Sequence, residues 1–184
     1  MRPSVRSIAL LAAIAAVVLT SCGADHTSPE PQPLSVSDRA DGFVLSLTLP
    51  TDAFVSTEPI ELETVFAWEG AAASRKVWAA ASGPLVFTAQ QLDGPRVIGG
   101  GSDAACAIHE FKRGTPLRTG YQKSGGYSET DPDAAFYKAF FADPLFRLPP
   151  GTWRISVVAD GFLAECAMNA PRLTLSVSAD ILVR

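Results

Sequence analysis

The C-terminal stretch Leu173-Thr174-Leu175-Ser176-Val177-Ser178-Ala179-Asp180-Ile181-Leu182-Val183 alternates apolar with polar side chains over most of its length. A period of two puts every second residue on one face of an extended chain, so the stretch reads as a strand with a buried and a wet side. The pattern recurs upstream. Phe43-Val44-Leu45-Ser46-Leu47-Thr48-Leu49 sets Phe43, Leu45, Leu47 and Leu49 against Ser46 and Thr48, and Pro50-Thr51-Asp52 ends it. Ile60-Glu61-Leu62-Glu63-Thr64-Val65-Phe66-Ala67-Trp68 follows a Thr57-Glu58-Pro59 turn and opposes Ile60, Leu62, Phe66 and Trp68 to Glu61 and Glu63. Thr152-Trp153-Arg154-Ile155-Ser156-Val157-Val158-Ala159 alternates as far as Asp160-Gly161, a dipeptide suited to a hairpin turn.

Shorter candidates occupy residues 76–80, 85–92 (ahead of an Asp93-Gly94-Pro95 turn), 96–98 and 106–112. In the last of these Cys106 and Ile108 share a face and His109 lies opposite. About seven short strands with turn punctuation describe an all-β chain folded as an antiparallel sandwich. One segment departs from the pattern. Asp131-Pro132-Asp133-Ala134-Ala135-Phe136-Tyr137-Lys138-Ala139-Phe140-Phe141 has a cap-like aspartate, a proline for the first turn, and Phe136 and Phe140 four apart. It predicts a helix of two to three turns, stopped by Asp143-Pro144, within a short helical insertion at about residues 121–148.

The 184 residues suffice for one domain, and 47% apolar against 18% charged residues can fill a core. With 15 basic against 19 acidic side chains, the chain lacks the cationic face that nucleic acid requires. Two histidines and three cysteines offer few ligands, so no metal and no other cofactor is expected.

The N-terminus carries Arg2 and Arg6, an apolar run over residues 8–19, and then Thr20-Ser21-Cys22. Such a run rises about 18 Å as a helix against a hydrocarbon core of roughly 30 Å, which fits a secretory signal better than a span. Leu19-Thr20-Ser21-Cys22 resembles the lipobox of bacterial lipoproteins, in which an aliphatic and two small residues precede the modified cysteine. The resemblance implies that residues 1–21 are a signal peptide cleaved before Cys22, and that Cys22 carries diacylglycerol. Acylation by more than one chain, palmitate among them, fits stable anchoring. The protein is then exported and held on the extracytoplasmic side of the cell membrane through that lipid. Residues 22–34, with Pro29-Glu30-Pro31-Gln32-Pro33, read as a tether, and residues 35–184 as the sandwich domain.

Cleavage removes Arg2 and Arg6 from the basic total and leaves the acidic one intact, a net charge of about −6. An acidic body repels anionic headgroups, so the lipid, and not a basic patch, is expected to hold it. With Cys22 acylated, Cys106 and Cys166 remain as an even pair in an oxidising compartment, and a structural disulfide is expected.

A weaker resemblance lies in the body. Thr57-Glu58-Pro59-Ile60-Glu61-Leu62 and Leu148-Pro149-Pro150-Gly151-Thr152-Trp153-Arg154-Ile155 are similar to strand-opening turns of immunoglobulin-like modules in bacterial envelope proteins. Modules similar to the intracellular proteinase inhibitor family of bacilli use the same turns. Thr57 stands where that pattern has glycine, and Trp153 where it has tyrosine. The resemblance implies an immunoglobulin-like sandwich, with Trp68 or Trp153 packed against the disulfide.

The catalytic inventory is short. Gly-x-Ser-x-Gly is absent, no serine stands three residues before a lysine, and His109 is the one histidine of the domain. Glu61 with Glu63 reads as a solvated strand face, and Asp131 with Asp133 as charge at a helix start. Gly99-Gly100-Gly101-Ser102-Asp103 lacks the Gly-Lys-Ser/Thr of a phosphate loop. No catalytic residue is therefore assigned.

The main anomaly is that seven of the sixteen aromatic residues fall within residues 121–146. Either Phe136, Phe140 and Phe146 cap one end of the sandwich, or Tyr121, Tyr127, Tyr137 and Phe141 form a partner-binding surface. The expected function is a non-catalytic binding or accessory module with an envelope protein as partner. The alternative is a small-ligand carrier or hydrolase with its site near His109 and the insertion.

Overall fold

The computed structural model describes residues 32–103, 106–166 and 169–184. The leader, Cys22 and the tether up to residue 31 lie outside the described residues. Eleven strands and one helix follow in chain order: β1 Leu34–Ala40, β2 Phe43–Leu49, β3 Ala53–Phe54, β4 Glu63–Trp68, β5 Ser74–Ala79, β6 Leu85–Gln91, β7 Val97–Gly99, β8 Ala107–Lys112, β9 Leu117–Thr119, α1 Ala134–Ala142, β10 Gly151–Phe162 and β11 Arg172–Val183. They form an all-β sandwich of two sheets with a short helical insertion. The smaller sheet has the order β1-β2-β4-β9. The larger runs β3-β11-β10-β5-β8, with β6 beside β10 and β7 beside β6. Every pairing is antiparallel except that of β3 with the end of β11, Ala53 to Leu182 and Phe54 to Val183.

Strict alternation decides which face is buried. In β2 the odd residues Phe43 to Leu49 point inward, and in β11 so do Leu173, Leu175, Val177, Ala179, Ile181 and Val183. Burying each large apolar side chain stabilises the fold by roughly 1.5–3 kcal/mol. Aromatic rings join the sheets at one end. Phe43 of β2 stacks on Phe66 of β4 at 5.0 Å, and Phe111 of β8 meets them edge-on at 5.8 and 4.9 Å. Beside this cluster Asp41 and Gly42 turn β1 into β2 with φ of 51° and 81°, the left-handed pair of a type I′ hairpin.

At the opposite lateral seam, β11 has no ladder partner on its β1 side until β3 joins its last two residues. There the Asp38 carboxylate of β1 accepts the Ser176 N–H at 2.9 Å.

Two local expectations are corrected. Asp160-Gly161 is no turn, because β10 continues to Phe162, paired throughout with β11. Asp160 accepts from Arg172 across the ladder, and Gly161 lies against β5, where a Cβ would stand 2.7 Å from Val77 Cγ1 and 3.0 Å from the Trp78 carbonyl oxygen. The reversal falls in the connection after Phe162 instead. Secondly, β4 starts at Glu63, because the Ile60 N–H binds the Phe146 carbonyl and draws residues 60–62 toward the insertion. In β8 the face that Cys106 and Ile108 share is the outer one, for the strand presents Phe111 inward and leaves Ile108 59% exposed.

Cys106 and Cys166 form the disulfide, with Cα atoms 6.2 Å apart. It ties the start of β8 to the connection between β10 and β11, all belonging to the larger sheet. The crosslink therefore staples one sheet and does not bridge two in the immunoglobulin manner. Trp68 and Trp153 donate their indole N–H groups to the carbonyls of Ala72 and Pro149.

Candidate functional site

Two surfaces carry chemistry beyond the core. The first is the insertion. Its helix is capped by other means than the sequence suggests. Asp131 accepts the Asp133 N–H, while the Asp133 carboxylate turns away from the helix to hold Arg96 at 3.0 Å. Arg96 in turn lies 4.5 Å over the Phe136 ring. At the other end Lys123 donates to the carbonyls of Phe140 and Asp143 and sits 4.0 Å from the Phe140 ring centroid. This cation satisfies carbonyls that the helix end leaves open and offsets its negative dipole end. Burial lowers the Lys123 pKa, opposed by the nearby Asp143. The Leu145 N–H and Arg147 hold Asp143 below the usual carboxylate range.

A ladder of rings roots the insertion in the sandwich. Phe87 of β6 meets Tyr121 at 5.5 Å, and Tyr121 stacks on Phe146 at 3.7 Å. Phe146 contacts Phe140, Phe140 contacts Phe141, and Phe141 stacks on Tyr127 at 6.3 Å. The four residues assigned to partner binding are thus placed differently. Tyr121 packs inward, its hydroxyl buried without a partner among the described residues, and burial raises its pKa above the ordinary phenol value. The Tyr137 hydroxyl binds both the N–H and the carbonyl of Val97, at 3.4 and 3.3 Å, which fastens α1 to β7. Tyr127 and Phe141 form the far end of the ladder, both half-buried. Phe140 and Phe146 are buried, and Phe136 packs partly against the same core.

The second surface is the outer face of the larger sheet, and no sequence pattern pointed to it. Most of that face is polar and internally paired. Arg154 grips Asp180 with two hydrogen bonds of 2.7 and 2.8 Å, Ser156 meets Ser178 at 2.8 Å, and Arg172 holds Asp160. One row differs. The register puts Ile108 beside Trp78, Trp78 beside Phe162 and Phe162 beside Arg172. Arg172 covers Phe162 at 5.0 Å, Trp78 is half-buried, and Ile108 has the largest exposure among the described large hydrophobic residues. These residues lie far apart in sequence, so the row exists only once the strand order is known. Beside it a cavity of about 230 Å³ is lined by Val86, Phe162, Asp103, Asp160 and the two cysteines. Asp103 accepts the N–H groups of Ala81 and Ser82.

His109 belongs to neither surface. Its Nε2 is 2.8 Å from the Ala80 carbonyl oxygen, so that nitrogen carries the hydrogen and donates. Glu63 pairs with Arg118, and among the described residues no cluster of three His, Cys, Asp or Glu side chains fits a metal ion. Compared with known protein families, with curated proteins and with solved structures, the chain matches none.

Proposed function

We propose that this chain is an exported bacterial lipoprotein, anchored through Cys22, that serves as a non-catalytic binding module of the cell envelope. The lipobox-like Leu19-Thr20-Ser21-Cys22 supports the anchor. One observation carries the binding role: the Tyr127–Phe141 stack at the outer end of a ring ladder that starts in the core. Rings held in this way lose little freedom on association, and buried aromatic anchors dominate most protein interfaces. Tyr121 and Tyr137 act behind them, the first by wedging the ladder and the second by fixing the helix to β7.

In-cell crosslinking of the full-length protein tests the role. An envelope protein captured by the native chain and lost with Tyr127→Ala and Phe141→Ala together, in a variant with an unchanged melting curve, is the expected result. Equal capture by both forms removes the insertion as the contact. Intact mass of the membrane-extracted protein reads the anchor, since Cys22→Ser should abolish acylation and release the chain from the membrane.

A further inference from the structure

The net charge of the chain conceals an uneven distribution. Arg39, Arg96, Arg118, Arg147, Arg154 and Arg172 each hold a carboxylate, and Lys123 is engaged by backbone carbonyls. Of the described cations outside these contacts, Arg75, Lys76 and Lys112 come from one place, the paired ends of β5 and β8, and Arg113 beside them donates to the Ala71 carbonyl. Glu110 is the single carboxylate of those two strands, and it takes the Ser74 hydroxyl. Lys76 and Lys112 are exposed on the same face as Ile108 and Trp78: Lys76, opposite Glu110, lies in the next row of that face, and Lys112, opposite Ser74, in the row after it. A protein with an excess of acidic residues therefore presents one face where two lysines, neither in a salt bridge among the described residues, lie beyond an apolar row.

We infer that the outer face of the β5–β8 ribbon docks on an anionic lipid bilayer. Trp78, Ile108 and Phe162 enter the boundary between headgroups and acyl chains, and Lys76 and Lys112 meet lipid phosphates. A soluble polyanion would engage the cations and leave the apolar row wet. A bilayer surface takes both, because tryptophan and aliphatic side chains partition into its interface while lysine and arginine meet its negative charge. The inference rests on the lipid-anchored reading for the closeness of a membrane, not for its chemistry.

The full-length protein, extracted from membranes and reconstituted into vesicles with brominated acyl chains, provides the test. Trp68 and Trp153 are core residues, so quenching of tryptophan emission by the bromines should come from Trp78. Quenching is expected in phosphatidylglycerol-containing vesicles, is weak in pure phosphatidylcholine, and disappears with Trp78→Phe. Lys76→Gln with Lys112→Gln should lower the docked-to-undocked ratio about 30-fold, at roughly fivefold per cation. Both variants alter surface positions, and a melting curve confirms that they fold. Quenching that is equal in the two lipids, or that survives Trp78→Phe, overturns the inference. So does a Trp78 emission shift with dextran sulfate that vesicles fail to produce, which assigns the face to soluble polyanions. Intact mass separates the two readings. An unacylated chain with lysine-dependent quenching overturns the anchor and keeps the docking face, and an acylated chain without quenching does the reverse.

Discussion

A methyl group at position 161 has no space, because Val77 and the Trp78 carbonyl already approach the missing Cβ within 3.0 Å. Gly161→Ala should therefore destabilise the domain by about 1–3 kcal/mol, read as a lower urea midpoint at unchanged slope. The Tyr121 hydroxyl presents the opposite case. It is buried without a partner among the described residues, so Tyr121→Phe should leave stability unchanged or raise it by up to about 1 kcal/mol in the same measurement. Two carboxylates contribute to the response to acid. Asp143 and Asp180 have folded pKa values below the ordinary carboxylate value of about 3.9, through Leu145 N–H with Arg147 and through Arg154 respectively. A depressed folded pKa gives stability that is complete above the unfolded value and is lost as pH falls through the folded one. The melting temperature should therefore fall below about pH 4, and Asp143→Asn with Asp180→Asn should flatten that fall.

At the scale of elements, the legible strands were those whose own alternation suffices. β2, β10 and β11 bury every second residue without exception over their central lengths, and their sequences say so. The face of β8 did not follow, because Ile108 and Phe111 have opposite parity and only the packing of Phe111 on Phe43 and Phe66 decides between them. Asp160-Gly161 misled for a related reason, since a glycine required by a crossing strand looks the same in sequence as one required by a turn. The helix was legible from its proline and phenylalanines, yet its stabilising partners Arg96 and Lys123 lie 37 and 17 positions away. The disulfide belongs at this scale as well. It closes a loop with a sequence separation of 60, worth up to roughly 4 kcal/mol by restricting the unfolded chain. Cys106→Ser with Cys166→Ser should lose up to that amount in denaturant titrations, and the far-ultraviolet dichroism should persist because the two-sheet core does not depend on the bond.

For the whole molecule, composition gave a sum where the structure gives a map. A net charge of −4 forbids a uniformly basic surface but says nothing of where Lys76 and Lys112 gather. The candidate site was legible only in part for the same reason: aromatic density drew attention to the insertion, whereas Trp78, Ile108 and Phe162 meet through a strand order no local pattern encodes. The seam between β1 and β11 carries a consequence of its own. An open ladder is a template on which any extended chain can crystallise, and at Ser176 a single carboxylate occupies the position such a chain would need. Asp38→Val should thus act less on unfolding than on self-association. Light scattering at rising concentration should show growing assemblies for the variant and a constant mass for the native chain, making Asp38 a guard of solubility instead of a strut.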